Sequence, residues 1–417
     1  MQLTQRNVSD LAFESLQDTP VTVITGARQV GKSTLMQQLL DGMEHRLVSL
    51  DSAVDREAAE RDPDGFAAQF PQGTLAIDEI QRVPQLLTSI KLALDKDRKP
   101  GQFIITGSAD LLSLQGAQES LAGRANTIPL EGFSQGELAG HKEDFAAYAW
   151  AMAASGQLPD DSELTRRDYL DTVVTSSYPA ITNSSARAAD RWMGSYIERI
   201  LSKDARDIAG IQYPDRLERL LNVIAAQNAS EFVAATIARS LDIPERSVPA
   251  YVRLLRQLFL IRELPAWSNN LTTKAVGRLK VVISDTGLAA FLCGVNPVGM
   301  ERDISSTTTG GLVEGFVAGE LARQRAWSNI SYRIHHFRDT HGREVDLVLE
   351  NRQREIVGIE VKAAATVTAS DFKGLEFLKD KAGKRFVAGI VLYTGTRAVP
   401  FGDRLWALPI STLWAAQ

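Results

Sequence analysis

The chain has 417 residues, 44% hydrophobic and 23% charged, enough to fill several cores and, at ~150 residues per domain, about three domains. A net charge of −5 argues against a globally basic nucleic-acid coat, and a single cysteine, Cys293, excludes an intramolecular disulfide framework. The start MQLTQRNVSDLAF lacks the basic-then-apolar layout of a signal peptide, and no apolar run approaches the ~20 residues that span a bilayer, so a cytoplasmic protein without a membrane partner is expected.

The β-branched run Val21–Thr25 predicts a buried strand. Gly26–Thr34 follows as GARQVGKST, a G-x-x-x-x-G-K-S loop, and Leu35–Leu40 fits a helix. Strand, glycine loop and helix in that order form a phosphate-binding context. Successive N–H groups across Gly26, Ala27, Arg28, Gln29, Val30, Gly31, Lys32, Ser33 and Thr34 can turn towards one anion, aided by the positive end of the helix. Lys32 is expected to reach the β- and γ-phosphates of ATP, and the Ser33 hydroxyl to ligate Mg²⁺. Arg28 is a further candidate phosphate contact.

Arg46–Leu50 reads as a second strand. Leu75–Glu79 (LAIDE) is a third, ending in two carboxylates: Asp78 can hold Mg²⁺ through water, and Glu79 can polarise the attacking water. Phe103–Thr106 is a fourth, followed by Gly107 and Ser108. A hydroxyl there can position water, although a plain turn explains Gly107 and Ser108 almost as well. Thr127–Leu130 would be a fifth strand. This order resembles the AAA+ ATPases, whose acidic strand carries Asp-Glu and whose next strand carries a polar sensor. By that resemblance Arg124, in LAGR, is the candidate arginine finger facing a neighbouring subunit's nucleotide; an ordinary surface ion pair is the competing reading.

Gly140–Asp161 is alanine-rich and then broken by Gly156, Pro159 and two aspartates, which reads as a connector. Helical spacing dominates from Leu164 to Gly210, interrupted by a turn at Ser177-Tyr178-Pro179, and predicts a lid over the nucleotide. Arg216–Gln227, Glu231–Leu241 and Glu245–Phe259 read as three helices, and Leu260–Leu264 and Lys280–Ile283 as short strands. Three helices and a ribbon make a winged-helix layout, with Arg246, Arg253 and Arg256 of the third helix as candidate DNA contacts. Packing against the protein's own lid is the alternative use of such a module.

Thr307–Gly311 reads as a Thr/Gly hinge. Gly310–Leu321 is a helix carrying Glu314 and Glu320, Gly342–Glu350 a strand carrying Asp346, and Glu355–Lys362 a strand ending in Glu360-Val361-Lys362. Residues 360 and 362 point to the same side, so a carboxylate and an ammonium project together beside Asp346. Two carboxylates can hold Mg²⁺ against a phosphate, although a solvated strand edge produces the same E-x-K pattern. The three elements resemble the PD-(D/E)xK nuclease core, with Glu314 as the helix acid and Glu320 as its rival. Val345 stands where that motif has proline.

Over nearly its whole length the chain resembles prokaryotic AAA+-type ATPases with a nuclease-like C-terminal domain. The residues that carry the likeness are GARQVGKST, LAIDE, ITGS, LAGR, SYP, WMGSYIERILSKD, ISDTGLAAFL, REVDLVLE and GIEVK. The resemblance implies an α/β fold in four parts: an AAA+-type P-loop ATPase core over 1–140, a helical lid and linker over 141–214, a winged helix over 215–300, and a restriction-endonuclease-like α/β domain over 301–417. It further implies Mg²⁺-dependent ATP hydrolysis coupled to duplex or branched DNA in a homo-oligomer such as a hexameric ring. The alternative is a nucleotide-controlled switch that binds a protein partner through its C-terminal half.

Overall fold

Short runs rich in Val, Ile and Thr build the first sheet, because β-branched side chains pack well on a pleated surface. The computed structural model describes residues 3–108, 121–206, 214–269 and 278–415. The chain divides into two units, one of residues 1–133 with 257–259 and one of residues 134–256 with 260–417.

In the first unit the strands are β1 (Val21–Thr25), β2 (His45–Ser49), β3 (Thr74–Asp78), β4 (Phe103–Gly107) and β5 (Ala125–Pro129). They are all parallel, in the order β2-β3-β4-β1-β5. The helices are α1 (Ser9–Asp18), α2 (Lys32–Leu40), α3 (Ala53–Arg61), α4 (Pro63–Ala67) and α5 (Leu86–Lys96). Alternation gives the sheet two buried faces, as parallel sheets require. Val21, Val23, Leu75, Ile77, Phe103 and Ile105 pack with Phe66 of α4 and Ile90 and Leu94 of α5. On the other face α1 meets β1, where the hydroxyls of Ser15 and Thr22 lie 2.8 Å apart. Parallel strands bring the residues that follow β1, β3 and β4 to one edge, and place Arg124, which precedes β5, at the opposite edge.

The second unit begins with α6 (Gln135–Ala139), α7 (Phe145–Ser155), α8 (Arg166–Val174) and α9 (Ala186–Arg199), which runs into a π-helical turn at Ile200–Asp204. Three helices follow, α10 (Pro214–Ala226), α11 (Ala234–Leu241) and α12 (Val248–Gln257). With them goes an antiparallel sheet of β6 (Ser230–Glu231), β7 (Ile261–Leu264) and β8 (Lys280–Ile283), ordered β6-β8-β7. Next come α13 (Thr286–Cys293), α14 (Pro297–Arg302) and α15 (Thr307–Gln324). The last sheet comprises β9 (Tyr332–Arg338), β10 (Glu344–Asn351), β11 (Ile356–Lys362), β12 (Phe386–Tyr393), β13 (Val399–Gly402) and β14 (Leu405–Pro409), with α16 (Lys373–Ala382) crossing from β11 to β12. Its order is β13-β14-β12-β11-β10-β9; β11, β12 and β14 run parallel, and β9 and β10 return antiparallel. Val345, Val348, Leu375, Leu378, Phe386 and Val391 form its core with α16.

Three expectations change. The connector expected at 140–161 contains α7, capped by Asp144, whose carboxylate accepts from Ala147 N at 3.0 Å, and closed by Gly156 at φ 71°. Alanine is the best helix former, and the helix needs no strong amphipathic stripe because Phe145, Ala146, Ala149 and Met152 supply a small buried face. The hinge expected at Thr307–Gly311 is the first turn of α15, capped by the Ser306 hydroxyl. Gly311 serves close approach: a Cβ there would stand 2.4 Å from the Asn228 carbonyl oxygen. The third helix expected at Glu245–Phe259 starts at Val248; residues Glu245–Ser247 form a 3₁₀ turn, and Phe259 takes φ 59° beyond the helix end. The helices over 166–204 belong to the second unit, where α8 packs on α13 and α14.

Candidate functional site

The loop after β1 turns through Gln29 at φ 65° and Gly31 at φ 98°, and α2 begins at Lys32. Gly26 cannot carry a side chain, since a Cβ there would lie 1.9 Å from the carbonyl oxygen of Leu130. Lys32 is 5% exposed and donates to the carbonyls of Gly26 at 3.1 Å and Ala27 at 2.9 Å, so its ammonium spans the loop that precedes it. Arg6 braces the same loop, donating to the carbonyls of Val30 at 2.9 Å and Glu131 at 2.7 Å.

Facing the loop, the Ser33 hydroxyl lies 3.0 Å from each oxygen of Asp78. The Thr106 hydroxyl, on β4, donates to Asp78 Oδ1 and accepts from the Glu79 amide at 3.1 Å. β3 stops at Asp78, and Glu79 takes a left-handed conformation, φ 59°, that turns its side chain away from the strand. The Glu79 carboxylate accepts from the Gln81 amide and, at 3.1 Å, from the Ser108 hydroxyl, while Gln81 also donates to Ser108 at 2.9 Å. A hydroxyl and a carboxylate facing each other suit a hard divalent ion with oxygen ligands, so Ser33 and Asp78 would hold Mg²⁺, which supplies positive charge beside a bound triphosphate. The structure thus gathers Lys32, Ser33, Asp78, Glu79 and Ser108 at one edge. Arg124 lies at the other, paired with Asp95 at 2.7 Å.

Sequence reasoning missed Gln81 and Arg6. A glutamine two places after an acid carries no periodic signal, and Arg6 precedes the first strand by fifteen positions in a stretch with no motif of its own.

A second polar cluster lies in the second unit. β10 bulges between Val345 and Val348, and the pairing Leu347↔Ile359 sets Asp346 across from Glu360. Asp346 Oδ2 accepts from Val361 N at 2.9 Å, and Lys362 lies 3.4 Å from Glu360. Glu314, on α15, joins through an unexpected residue: Lys280 of β8 sits 2.7 Å from Glu314 Oε1 and 3.7 Å from Asp346 Oδ1. Burial opposes the Lys280 charge, but Glu314 and Asp346 outweigh it and hold its pKa above the ordinary lysine value. Burial, with Asp346 beside it, pushes Glu314 up to about 8 against the pull of Lys280. The same two causes hold Glu360 well above the usual carboxylate range. Glu320 is elsewhere, paired with Arg323 at 2.7 Å and accepting from Gln135 N at 3.0 Å. Among the described residues no group of three or more His, Cys, Asp or Glu is placed to hold a metal ion.

The Ser177-Tyr178-Pro179 turn and Asp285 also meet. Asp285 accepts from Ser177 N at 2.7 Å and its hydroxyl at 2.6 Å, and Arg323 donates to that hydroxyl at 3.0 Å. Tyr178 lies tilted against Trp192 and Tyr196, which stack on each other, so these aromatics pack as a cluster. Arg246, Arg253 and Arg256 are exposed, with Arg256 paired to Glu263 at 2.8 Å. His336 is buried, which lowers its pKa, and bonds the Arg278 carbonyl at 2.9 Å. No helix among the described residues is long and apolar enough to cross a membrane.

Three family models match in succession: an AAA domain over residues 18–139, a domain of unknown function (DUF8612) over 166–299, and a domain of unknown function (DUF4143) over 309–413. The chain is 27% identical over 413 residues to the uncharacterized protein Rv2008c of Mycobacterium tuberculosis and to Mb2031c of Mycobacterium bovis, covering 98% of this chain and 84% of each relative. Among solved structures it is similar to the Walker-type ATPase paby2304 of Pyrococcus abyssi, at 16% identity and a TM-score of 0.42, covering 70% of this chain and 96% of that one. AMPPCP-bound DnaA from Aquifex aeolicus matches at 13% identity and a TM-score of 0.26, covering 60% and 86%. The AAA match spans the loop, the acidic strand and the hydroxyl strand: the first unit is an ATPase, with ATP and Mg²⁺ as its cofactors.

Proposed function

We propose that the ATPase acts on DNA, its hydrolysis cycle driving a DNA-bound C-terminal half along or around duplex or branched DNA. In this reading Lys32 and Arg28 bind the phosphates, Ser33 and Asp78 hold Mg²⁺, Glu79 activates water with Ser108 beside it, and Arg124 serves a neighbour's nucleotide in a homo-oligomeric ring. Residues 141–214 act as lid and linker, 215–300 as a winged helix, and 301–417 as a nuclease-like fold. One observation carries the DNA assignment. Helices α10 to α12, joined to the β6-β8-β7 sheet, leave Arg246 and Arg253 exposed on the third helical segment, the element that enters a major groove in such modules. The order α15, β9, β10, β11, α16, β12 supports the nuclease-like part.

The test measures binding by fluorescence anisotropy, and ATP turnover, with duplex and four-way-branched DNA at two salt concentrations. DNA should raise turnover, and binding should fall steeply with salt. Arg246→Ala with Arg253→Ala should weaken binding and reduce the salt slope by about one per lost phosphate contact. Absence of binding at low salt, with turnover indifferent to DNA, would overturn the assignment. The switch reading would then gain, and it has its own support: a cavity of about 410 Å³ beside α12, lined by Phe232, Val252, Leu279 and Val281, which offers apolar surface to a protein partner.

A further inference from the structure

The nuclease-like reading of the C-terminal fold calls for a divalent metal between its acids, and the residues present do not fit one. Glu314, Asp346 and Glu360 converge, but the position between the first two already holds a cation. Lys280 enters from β8 and places its ammonium 2.7 Å from Glu314 and 3.7 Å from Asp346. Its side chain is 5% exposed, and those of Glu314 and Asp346 are 13% exposed, so this is an interior pair rather than a surface one. Lys280 is also fixed at its backbone, since β8 pairs with β6 at Glu231↔Lys280 and with β7 at Leu264↔Lys280. A second ammonium, Lys362, attends Glu360 at 3.4 Å. Asp346 is turned by the Val361 N–H onto its Oδ2, which leaves Oδ1 for Lys280.

We propose that Lys280 is the built-in cation of this site, standing where a nuclease would place its metal. The site consequently binds no divalent ion and cleaves no phosphodiester, and removing the ammonium opens a cation site between Glu314 and Asp346. Like charges facing each other across β10 and β11 are destabilising without a counter-charge, and a covalently attached ammonium meets that need without any ion from solution. The inference goes beyond the DNA assignment: a chain that binds DNA and one that does not could both carry this lysine.

The experiment uses the full chain without nucleotide, in an Asp78→Asn background that removes the ATPase metal ligand, with Mn²⁺ as probe followed by electron paramagnetic resonance. The Lys280-intact protein should show no Mn²⁺ binding that depends on Asp346, and no nicking of supercoiled plasmid with Mg²⁺ or Mn²⁺. Lys280→Met, which keeps the apolar stem, should gain one Mn²⁺ per chain with at least tenfold tighter binding, lost again on adding Asp346→Asn. If Lys280→Met does not fold, Lys280→Gln removes the charge while keeping a hydrogen-bond donor beside Glu314 and leaves both acids to take the ion. Mn²⁺ held by the Lys280-intact protein in an Asp346-dependent manner overturns the proposal. So does a folded Lys280 variant that gains no ion.

Discussion

Glu79 is held by two neighbours at once, Gln81 and Ser108, and its left-handed backbone turns a residue just past the strand out of the line of β3. In the proposed role it activates water, so Glu79→Gln should lower kcat by roughly 10²-fold or more while leaving nucleotide affinity within a few-fold. Turnover and titration of a fluorescent ATP analogue check both; wild-type turnover would remove Glu79 from that role. Gln81 has the opposite sign. Its amide occupies the carboxylate that the proposal needs free, and one neutral hydrogen bond is worth about 0.5–1.5 kcal/mol. Gln81→Ala should therefore raise basal turnover by about two- to tenfold with KM for ATP unchanged, and a fall would mean that Gln81 helps the acid rather than restraining it.

At the scale of elements, the junction of α6 and α7 buries a carboxylate. Glu143 lies against Gly136, where a Cβ would meet its Oε2 at 1.9 Å, and it faces Ser134, Glu137 and Glu320, the last paired with Arg323. Burial, partly offset by Ser134, raises its pKa from 4.5 to about 7. A carboxyl raised on folding stabilises while protonated: the contribution is full below about 4.5 and fades as pH rises through about 7. At about 1.4 kcal/mol per unit it amounts to roughly 3 kcal/mol. Glu143→Gln keeps the neutral form at every pH, so its Tm should fall less than wild type between pH 5 and 8, as read by calorimetry. Parallel profiles would refute this. The elements themselves were legible where chemistry and period agreed. Val21–Thr25 and Lys280–Ile283 read directly as strands, and the loop before Lys32 read as a phosphate cradle from its glycines. α7 did not, because an alanine run followed by Gly156 and Pro159 carries composition without a stripe. The first turn of α15 did not, because its Gly311 answers to Asn228, which lies far away in sequence. Lys280 was visible only as a strand residue; its partner Glu314 is 34 positions on, and no local pattern announces such a pairing.

For the whole molecule, the proposed ring rests on Arg124, which lies at the sheet edge away from its own phosphate loop and beside Asp95. If it serves a neighbour, mixing Arg124→Ala subunits with Lys32→Ala subunits should restore part of the turnover that each lacks alone, because some interfaces then join an intact loop to an intact arginine. Mixtures shown by native mass spectrometry to co-assemble, yet without recovery, would leave Arg124 with its ion pair, worth about 0.2–1 kcal/mol at such a position. The Leu130 carbonyl rests on Gly26, and Arg6 grips the carbonyls of Glu131 and Gly132 while its guanidinium lies 4.9 Å from the Phe133 ring. Arg6 also holds Val30, inside the phosphate loop. The exit tether and the phosphate loop therefore share one anchor. Loss of the Arg6 guanidinium would therefore free the segment after β5 and the triphosphate cradle together, so one side chain sets the stiffness of both.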